Sequence, residues 1–337
     1  RRLQISSYER QKRRLGRAIW SQLVKLCLVG YGGIAQFHRD ALMQMDEVEI
    51  AAVVGRRIEP TQSFAKSCGA TLATERLDEV LSQPDIDAVL IASPSQLHHK
   101  QAKAALLAGK HVLLEIPMAL TLAHAEELCD LADSKGCLLM ICHTHRYRRF
   151  IRDTKDRIIN GCLTPLHFHC EWHFFRRTNV GWTGYERSWV DNLLWHHGGH
   201  VIDDAVWLFG SEPTQARALL GPTENELGIT MDLSAQMRFP GGGIASYAMS
   251  YNAHIPKPRM RITLICEEDT LLLDEDQVSN HDGTLQYVDL NEAGIVDQDD
   301  NFMNALRYGQ PVITTGRDLL PTMRTLQRLE DSAGKPT

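Results

Sequence analysis

The stretch 192–210, NLLWHHGGHVIDDAVWLFG, carries more titratable groups than a packing helix needs. Val201, Val206, Leu208 and Phe209 supply an apolar side. If the helix runs through, His196, His200, Asp203 and Asp204 fall at i, i+4, i+7 and i+8 and share one face. Two imidazoles on one face can reach a single substrate oxygen. With an unperturbed pKa of about 6.5, an imidazole suits the removal of a hydroxyl proton near neutral pH. The chemistry this allows is oxidation of an alcohol or hemiacetal, the proton leaving the oxygen as hydride leaves the carbon. His200 is the expected base, His196 its partner, and Asp203 or Asp204 the group that orients an imidazole. His197 falls off that face and reads as structural, although it stays among the candidate substrate contacts. His196-x-x-x-His200 also has zinc-ligand spacing, but the glutamate of H-E-x-x-H is replaced by His197. A metal hydrolase is therefore the weaker alternative, and no metal is expected.

Such a base needs a hydride acceptor, and the first half of the chain has the pattern of a nucleotide site. The continuous apolar run Leu23–Val29 reads as a strand buried on both faces. It leads into Gly30-Tyr31-Gly32-Gly33-Ile34-Ala35, which fits G-x-G-x-x-A and then becomes helical. Gly30 permits a tight turn, Gly32 admits a pyrophosphate to the backbone, and Gly33 and Ile34 open the helix. Ala35 lets that helix sit close on the strand. Apolar strands recur at 48–54, 86–91, 111–114 and 137–141, with helical stretches near 61–68, 75–82, 97–108 and 121–135. That alternation predicts a doubly wound parallel sheet of the Rossmann type.

The end of the second strand bears on the cofactor. NAD enzymes place an acid about 20 residues past the glycines, on the ribose 2′-hydroxyl. Here the chain reads VVGRR, with Gly55 at that position and Arg56 and Arg57 after it. Two guanidinium groups suit a 2′-phosphate. NADP is expected, with NAD as the alternative.

Beyond residue 142 the period changes to two. Met231, Leu233, Ala235, Met237 and Phe239 alternate with polar residues, a glycine turn follows, and 244–251 and 260–266 repeat the pattern. This predicts an α/β domain with a large, open, mostly antiparallel sheet. In LHFHCEWHFFRR (166–177), Leu166, Phe168, Cys170, Trp172, Phe174 and Arg176 share the side that should meet helices. His167, His169, Glu171, His173, Phe175 and Arg177 share the other, which suits solvent or a subunit contact better than a metal. The domains expected are 22–142 for NADP and 143–337 for substrate and oligomerisation.

Bulk properties narrow the class. The 337 residues are 43% hydrophobic and 23% charged with a net charge of −6, so no basic field favours nucleic acid or an anionic membrane. No apolar run approaches the ~18 residues needed to span a bilayer. The eight cysteines form no C-x-x-C pair, which points to reduced thiols and a cytoplasmic protein. Residues 1–21 form a basic leader, with seven Lys/Arg and one acid in the first twenty, and read as disordered.

From about Val24 to near its end the chain resembles the glucose–fructose oxidoreductase/inositol dehydrogenase (Gfo/Idh/MocA) family. The glycine turn carries the resemblance, with ASPSQLHH (92–99), AGKHVLLEIPMALT (108–121) and WHHGGHVIDDAVWLFG (195–210). It implies that Ser93, Pro94 and His98 belong to a loop under the nicotinamide ribose. It also places Glu115 and Pro117 in a Glu-Lys-Pro signature at the cofactor, Glu115 near the chemistry. Two positions depart from the family: Ile116 replaces the signature lysine, and His196 replaces the aspartate of Asp-x-x-x-His, whose histidine is His200.

EIP, HTHRY, FFRRTN, ERSW and LLWHHGGH further resemble a branch from bacterial aromatic catabolism. That branch uses NADP on 4-carboxy-2-hydroxymuconate-6-semialdehyde as its cyclic hemiacetal, giving 2-pyrone-4,6-dicarboxylate. The implied substrate is this compound or a close carboxylated analogue. Arg146, Arg176, Arg177 and Arg187 are the candidate carboxylate partners, and strand parity favours Arg176 over Arg177. The alternatives are a sugar, inositol or dihydrodiol dehydrogenase and a non-catalytic NADP-binding sensor. A homodimer or homotetramer joined through the open sheet face is expected.

Overall fold

A computed structural model describes residues 23–180 and 193–334 and divides the chain into two units. The first runs to Cys142 and takes back Ile295–Leu319. The second comprises His143–Gly294 and the residues from Leu320 onward.

In the first unit strand and helix alternate. The order is β1 (Val24–Val29), α1 (Gly33–Leu42), β2 (Val48–Val54), α2 (Ile58–Cys68), β3 (Leu72–Thr74) and α3 (Leu77–Leu81). Then come β4 (Ala88–Ile91), α4 (Ser95–Leu107), β5 (His111–Leu114), α5 (Leu122–Lys135) and β6 (Leu139–Ile141). The six strands are all parallel, ordered β3-β2-β1-β4-β5-β6. Every residue of β4 is fully buried, and so are Leu26, Cys27 and Leu28 of β1. Helices on both faces explain why these strands read as unbroken apolar runs. The strand order reverses between β1 and β4, which puts a crevice at the carboxyl ends where Gly30 stands.

The second unit begins with a 3₁₀ turn, Thr144–Tyr147, followed by α6 (Arg149–Ile159), β7 (Pro165–His173) and α7 (His197–Phe209). The remaining strands are β8 (Gln215–Leu220), β9 (Asp232–Arg238), β10 (Ile244–Ser250), β11 (Arg259–Cys266), β12 (Thr270–Asp274), β13 (Gln277–Ser279) and β14 (Leu285–Val288). They form one sheet ordered β14-β13-β12-β11-β7-β10-β9-β8. It is antiparallel except at its centre, where β7 and β10 run parallel. Phe168, Cys170, Tyr247, Met249, Ile262 and Leu264 fill its covered face, with α7 packed over β7 and β10. The other face carries His167 and His169, both bonded to Ser246 Oγ at 3.0 and 2.8 Å. Regular β7 pairing ends at His173, and Phe175 continues it as an isolated bridge to Asn252.

Two long helices close the chain, α8 (Asn291–Tyr308) and α9 (Gly316–Ala333). The sequence pattern alone kept 295–319 with the second domain. These residues pack in the first unit because Thr314 O accepts from Ile141 N at 2.8 Å, Met140 bridges Thr315, and Asp299 reaches His38. All eight cysteines are free. No described helix is long and apolar enough to cross a membrane.

Candidate active site

The glycine turn of the first unit is built for a dinucleotide. Gly30 has φ +115°, and a Cβ there would stand 2.4 Å from the Ala92 carbonyl oxygen, so no other residue fits. Gly32 is the N-cap of α1 and contributes no side chain. A Cβ at Gly32 would meet nothing within 4 Å, which leaves open the approach a pyrophosphate needs. No acid stands in the first turn of α1, so the helix dipole meets no competing anion. Ala35 is fully buried, as close packing of α1 on the sheet requires. These residues fit a nicotinamide dinucleotide.

At the end of β2, Gly55 stands in a crowded space. A Cβ there would press on the Thr61 hydroxyl and on the ring of Tyr31, which belongs to the glycine turn itself. Arg56 and Arg57 follow as exposed residues at the start of α2.

The segments after β4 and β5 are tied together by His98. It is buried between the Ser93 and Pro117 carbonyl oxygens, at 2.9 and 2.8 Å. The structure therefore makes His98 a brace for the two loops, where sequence reasoning placed it among the cofactor contacts. Ser93 Oγ donates to Gln101 Oε1, and Pro94 caps α4. Glu115 is engaged at both oxygens, accepting from His38 Nε2 at 2.9 Å and from the Ile116 amide at 3.1 Å. A carboxylate so occupied is poorly placed to act as a base.

In the second unit the helix predicted through 196 starts at His197, with His196 as its N-cap. The i, i+4 argument therefore does not apply to His196, whose backbone is not helical. His200 remains the centre of a histidine nest. His145 stacks on it with ring centroids 4.7 Å apart, and His143 meets it edge-on at 5.7 Å. Its Nδ1 is buried without a hydrogen-bond partner, while the residue as a whole keeps some exposure. Burial pushes the His200 pKa well below 6.5, and His145, His143, His196 and His197 add to the shift. The ring is therefore neutral at physiological pH, the state a base must start from.

The two aspartates serve the nest from below, one helical turn on. Asp204 Oδ2 accepts from His145 Nδ1 at 2.8 Å in a fully buried contact and fixes which nitrogen of His145 carries the proton. Asp203 is gripped by Arg146 through Nε and Nη2, both at 2.7 Å, and by Thr322 Oγ1 at 2.6 Å. Burial alone would raise the Asp203 pKa, but the Arg146 guanidinium holds it below the usual carboxylate range. Orientation by aspartate was expected, yet its object is His145 rather than His200 or His196.

Arg146 is thus removed from the substrate candidates. It is 2% exposed, and Asp203 fills the edge of its fork. Arg176 is half-buried over the Tyr251 ring at 5.3 Å and donates to neutral acceptors, Asn179 Oδ1 at 2.7 Å and Thr178 O at 3.4 Å. Tyr251 also pairs through its hydroxyl with His197 Nδ1 at 2.7 Å, and His197 lies against Trp172 and Phe174. Arg176 and His197 therefore meet on the same tyrosine. Arg177 instead bonds Arg176 O, Tyr251 O and Asn252 and lies over Phe175. Arg187 lies outside the described residues.

His143 and His145 were missed as site residues, although HTHRY stands directly after the last strand of a parallel sheet, where sites form. Among the described residues the trio with metal-ligand spacing is His38, Glu115 and Cys142, not the pair His196 and His200.

Comparison with known proteins agrees with this geometry. Residues 24–143 match the model of the oxidoreductase family with an NAD-binding Rossmann fold, and 148–294 match the C-terminal domain of bacterial oxidoreductases. The chain is 33% identical to 4-carboxy-2-hydroxymuconate-6-semialdehyde dehydrogenase of a Sphingobium species, over 91% of this chain and 98% of that one. It is 28% identical to an NADP-dependent scyllo-inositol 2-dehydrogenase of Bacillus subtilis, over 60% of this chain and 56% of that one. The WlbA dehydrogenase of Bordetella pertussis, solved with NADH and UDP-GlcNAcA, shares the fold. Its TM-score is 0.82 at 21% identity, covering 93% and 96% of the two chains. The chain belongs to the Gfo/Idh/MocA oxidoreductase family and is an NAD(P)-dependent dehydrogenase acting on a CH–OH group.

Proposed function

We propose that this dehydrogenase uses NADP to oxidise the ring hydroxyl of a cyclic hemiacetal formed by a carboxylated aromatic ring-cleavage semialdehyde. The product would be a lactone of the 2-pyrone-4,6-dicarboxylate type. The observation that carries the reading is His200, not fully buried, with His145 stacked on it and His143 edge-on to it. The semialdehyde dehydrogenase from Sphingobium, aligned over nearly its whole length, supports the substrate class.

Bound nicotinamide would supply the hydride acceptor. His200 takes the hydroxyl proton, and its stacked neighbour His145, pinned by Asp204, holds that ring in place. Arg176 exchanges neutral acceptors for a substrate carboxylate, a stronger charge-assisted contact. His197 and Tyr251 hold the aromatic wall beneath it. In a screen at 340 nm, ring-cleavage semialdehydes should reduce NADP+ at least tenfold more efficiently than inositols or simple sugars. Equal or greater turnover of an inositol would replace the aromatic substrate with a polyol.

Preference for NADP rests on Gly55, Arg56 and Arg57. Losing a charged contact to the 2′-phosphate costs ~1.5–3 kcal/mol, which is about ten- to 150-fold in affinity. The double variant Arg56→Ala/Arg57→Ala should erode the NADP-to-NAD preference by that factor. An unchanged ratio would refute the assignment.

The protein is further proposed to act in the cytoplasm as a homo-oligomer joined through the open face of the second sheet. Leu219 is 76% exposed there, and Ile244 and Ile265 flank His167 on the neighbouring strands. Apolar groups among hydrogen-bonding side chains suit a self-complementary interface. Sedimentation at micromolar concentration should show two or four chains, and a single-chain mass would count against it.

A further inference from the structure

A buried charged group in the first unit takes no part in the proton chemistry above. His38 on α1 is clamped from two sides. Its Nδ1 meets Asp299 Oδ2 of α8 at 2.7 Å, and its Nε2 meets Glu115 Oε1, just past β5, at 2.9 Å. His38 and Asp299 are fully buried, and the Glu115 side chain is 14% exposed. The Gln298 side chain donates to Asp299 Oδ1 at 3.3 Å. Cys142 Sγ lies within 4.8 Å of the facing His38 and Glu115 atoms, and burial keeps its thiol protonated. His98, the remaining titratable group near Glu115, is taken up by the two carbonyls described above.

Two carboxylates against one imidazolium give the trio itself a net charge of −1. Burial opposes the imidazolium, but Asp299 and Glu115 hold the His38 pKa well above 6.5. Burial likewise opposes the Glu115 carboxylate, and His38 holds it ionised. The charge is therefore fixed across neutral pH.

Its position gives it a target. The Glu115 amide bonds Ile91 O at the end of β4, and the amide of the next residue, Ala92, bonds Val29 O just before Gly30. In a doubly wound sheet the dinucleotide lies across the carboxyl ends, one mononucleotide to each half. The glycine turn and β2 take the adenosine side, so the nicotinamide side belongs to β4, β5 and β6. Of the whole cofactor, the nicotinamide ring is the part whose charge changes, cationic when oxidised and neutral when reduced. A fixed negative charge nearby distinguishes the two forms.

We propose that Asp299, His38 and Glu115 form an electrostatic selector that favours binding of the oxidised over the reduced dinucleotide. The proposal rests on dinucleotide binding by the first unit and is independent of His200 and of the substrate. A unit charge within about 8–12 Å, at an effective dielectric of about 20–40, changes the affinity ratio about three- to thirty-fold.

Calorimetric Kd values for NADP+ and NADPH, and for the NAD pair, test this without turnover. Asp299→Asn and Glu115→Gln each bring the net charge to zero, and each should raise Kd(NADP+)/Kd(NADPH) about three- to thirty-fold. Asp299→Glu keeps the net charge at −1, and its ratio should stay within about twofold of wild type. Ratios unchanged in both charge-removing variants would overturn the proposal. So would an Asp299→Glu variant that follows Asp299→Asn, because the effect would then track structure and not charge. A stoichiometric metal ion that is lost on Cys142→Ser would overturn it too, by adding positive charge to the group. Should one charge-removing variant not fold, the other and Asp299→Glu still decide. A wild-type protein that binds neither dinucleotide would fail at the cofactor reading itself, a separate and recognisable result.

Discussion

Replacing His200 by asparagine is expected to lower kcat by about 10²–10⁴ while the Kd for NADPH stays nearly unchanged. Asparagine keeps the size and polarity of the position but cannot accept and hold a proton. His200 lies in the second unit, away in sequence from the glycine turn and from Arg56 and Arg57, so cofactor affinity should not follow the loss. His196→Asn should cost less, since His196 caps α7 and faces His197 edge-on at 4.5 Å. Glu115 is no ready substitute as base, because both of its oxygens are already engaged. Steady-state kinetics with a ring-cleavage semialdehyde, paired with NADPH titration, separates the outcomes. Near-wild-type kcat in His200→Asn would remove the residue from the mechanism.

Asp203→Ala is expected to destabilise the second unit by about 3–5 kcal/mol, because it leaves the Arg146 guanidinium buried without its counter-charge. Arg146 has 2% exposure and Asp203 none, so water cannot easily take over. Thr322 loses its acceptor at the same time. Arg146→Met/Asp203→Leu removes both charges and should recover much of the loss, as buried pairs replaced by apolar groups often do. Five of the six tryptophans lie between residues 143 and 294, so their fluorescence in urea reports on this unit. A midpoint unchanged in Asp203→Ala would mean that the pair does not hold Thr144–Tyr147 against α7.

What the sequence disclosed follows from how local each constraint is. Gly30, Gly32 and Ala35 were legible because a turn, an open approach and a close helix each demand a residue type within a few positions. The buried strands β1, β2, β4 and β5 were legible because a covered parallel sheet writes unbroken apolar runs. His200 stood out as a titratable group in an apolar helix. The partners of these residues were not legible, because they come from far along the chain. Asp299 is 261 positions from His38, and Asp204 is 59 from His145. Arg146 looked like a substrate ligand because nothing local shows that Asp203 fills its fork. The helix was read on through His196 because apolar periodicity continues into Leu193 and Leu194, which are buried as a turn, whereas it starts at His197. The parallel pairing of β7 with β10 left no trace in either strand, since both alternate as antiparallel strands do.

The pH dependence of kcat/KM, compared between wild type and His200→Asn, tests the central claim most directly. A base with its pKa pushed well below 6.5 is unprotonated at neutrality, and it gains a proton only as the pH falls through that lowered value. Wild-type kcat/KM should therefore hold level from neutral pH down past 6.5 and decline below it, and the decline should vanish in His200→Asn. An acid limb at or above 6.5 in wild type, or the same limb persisting in the variant, would contradict the account.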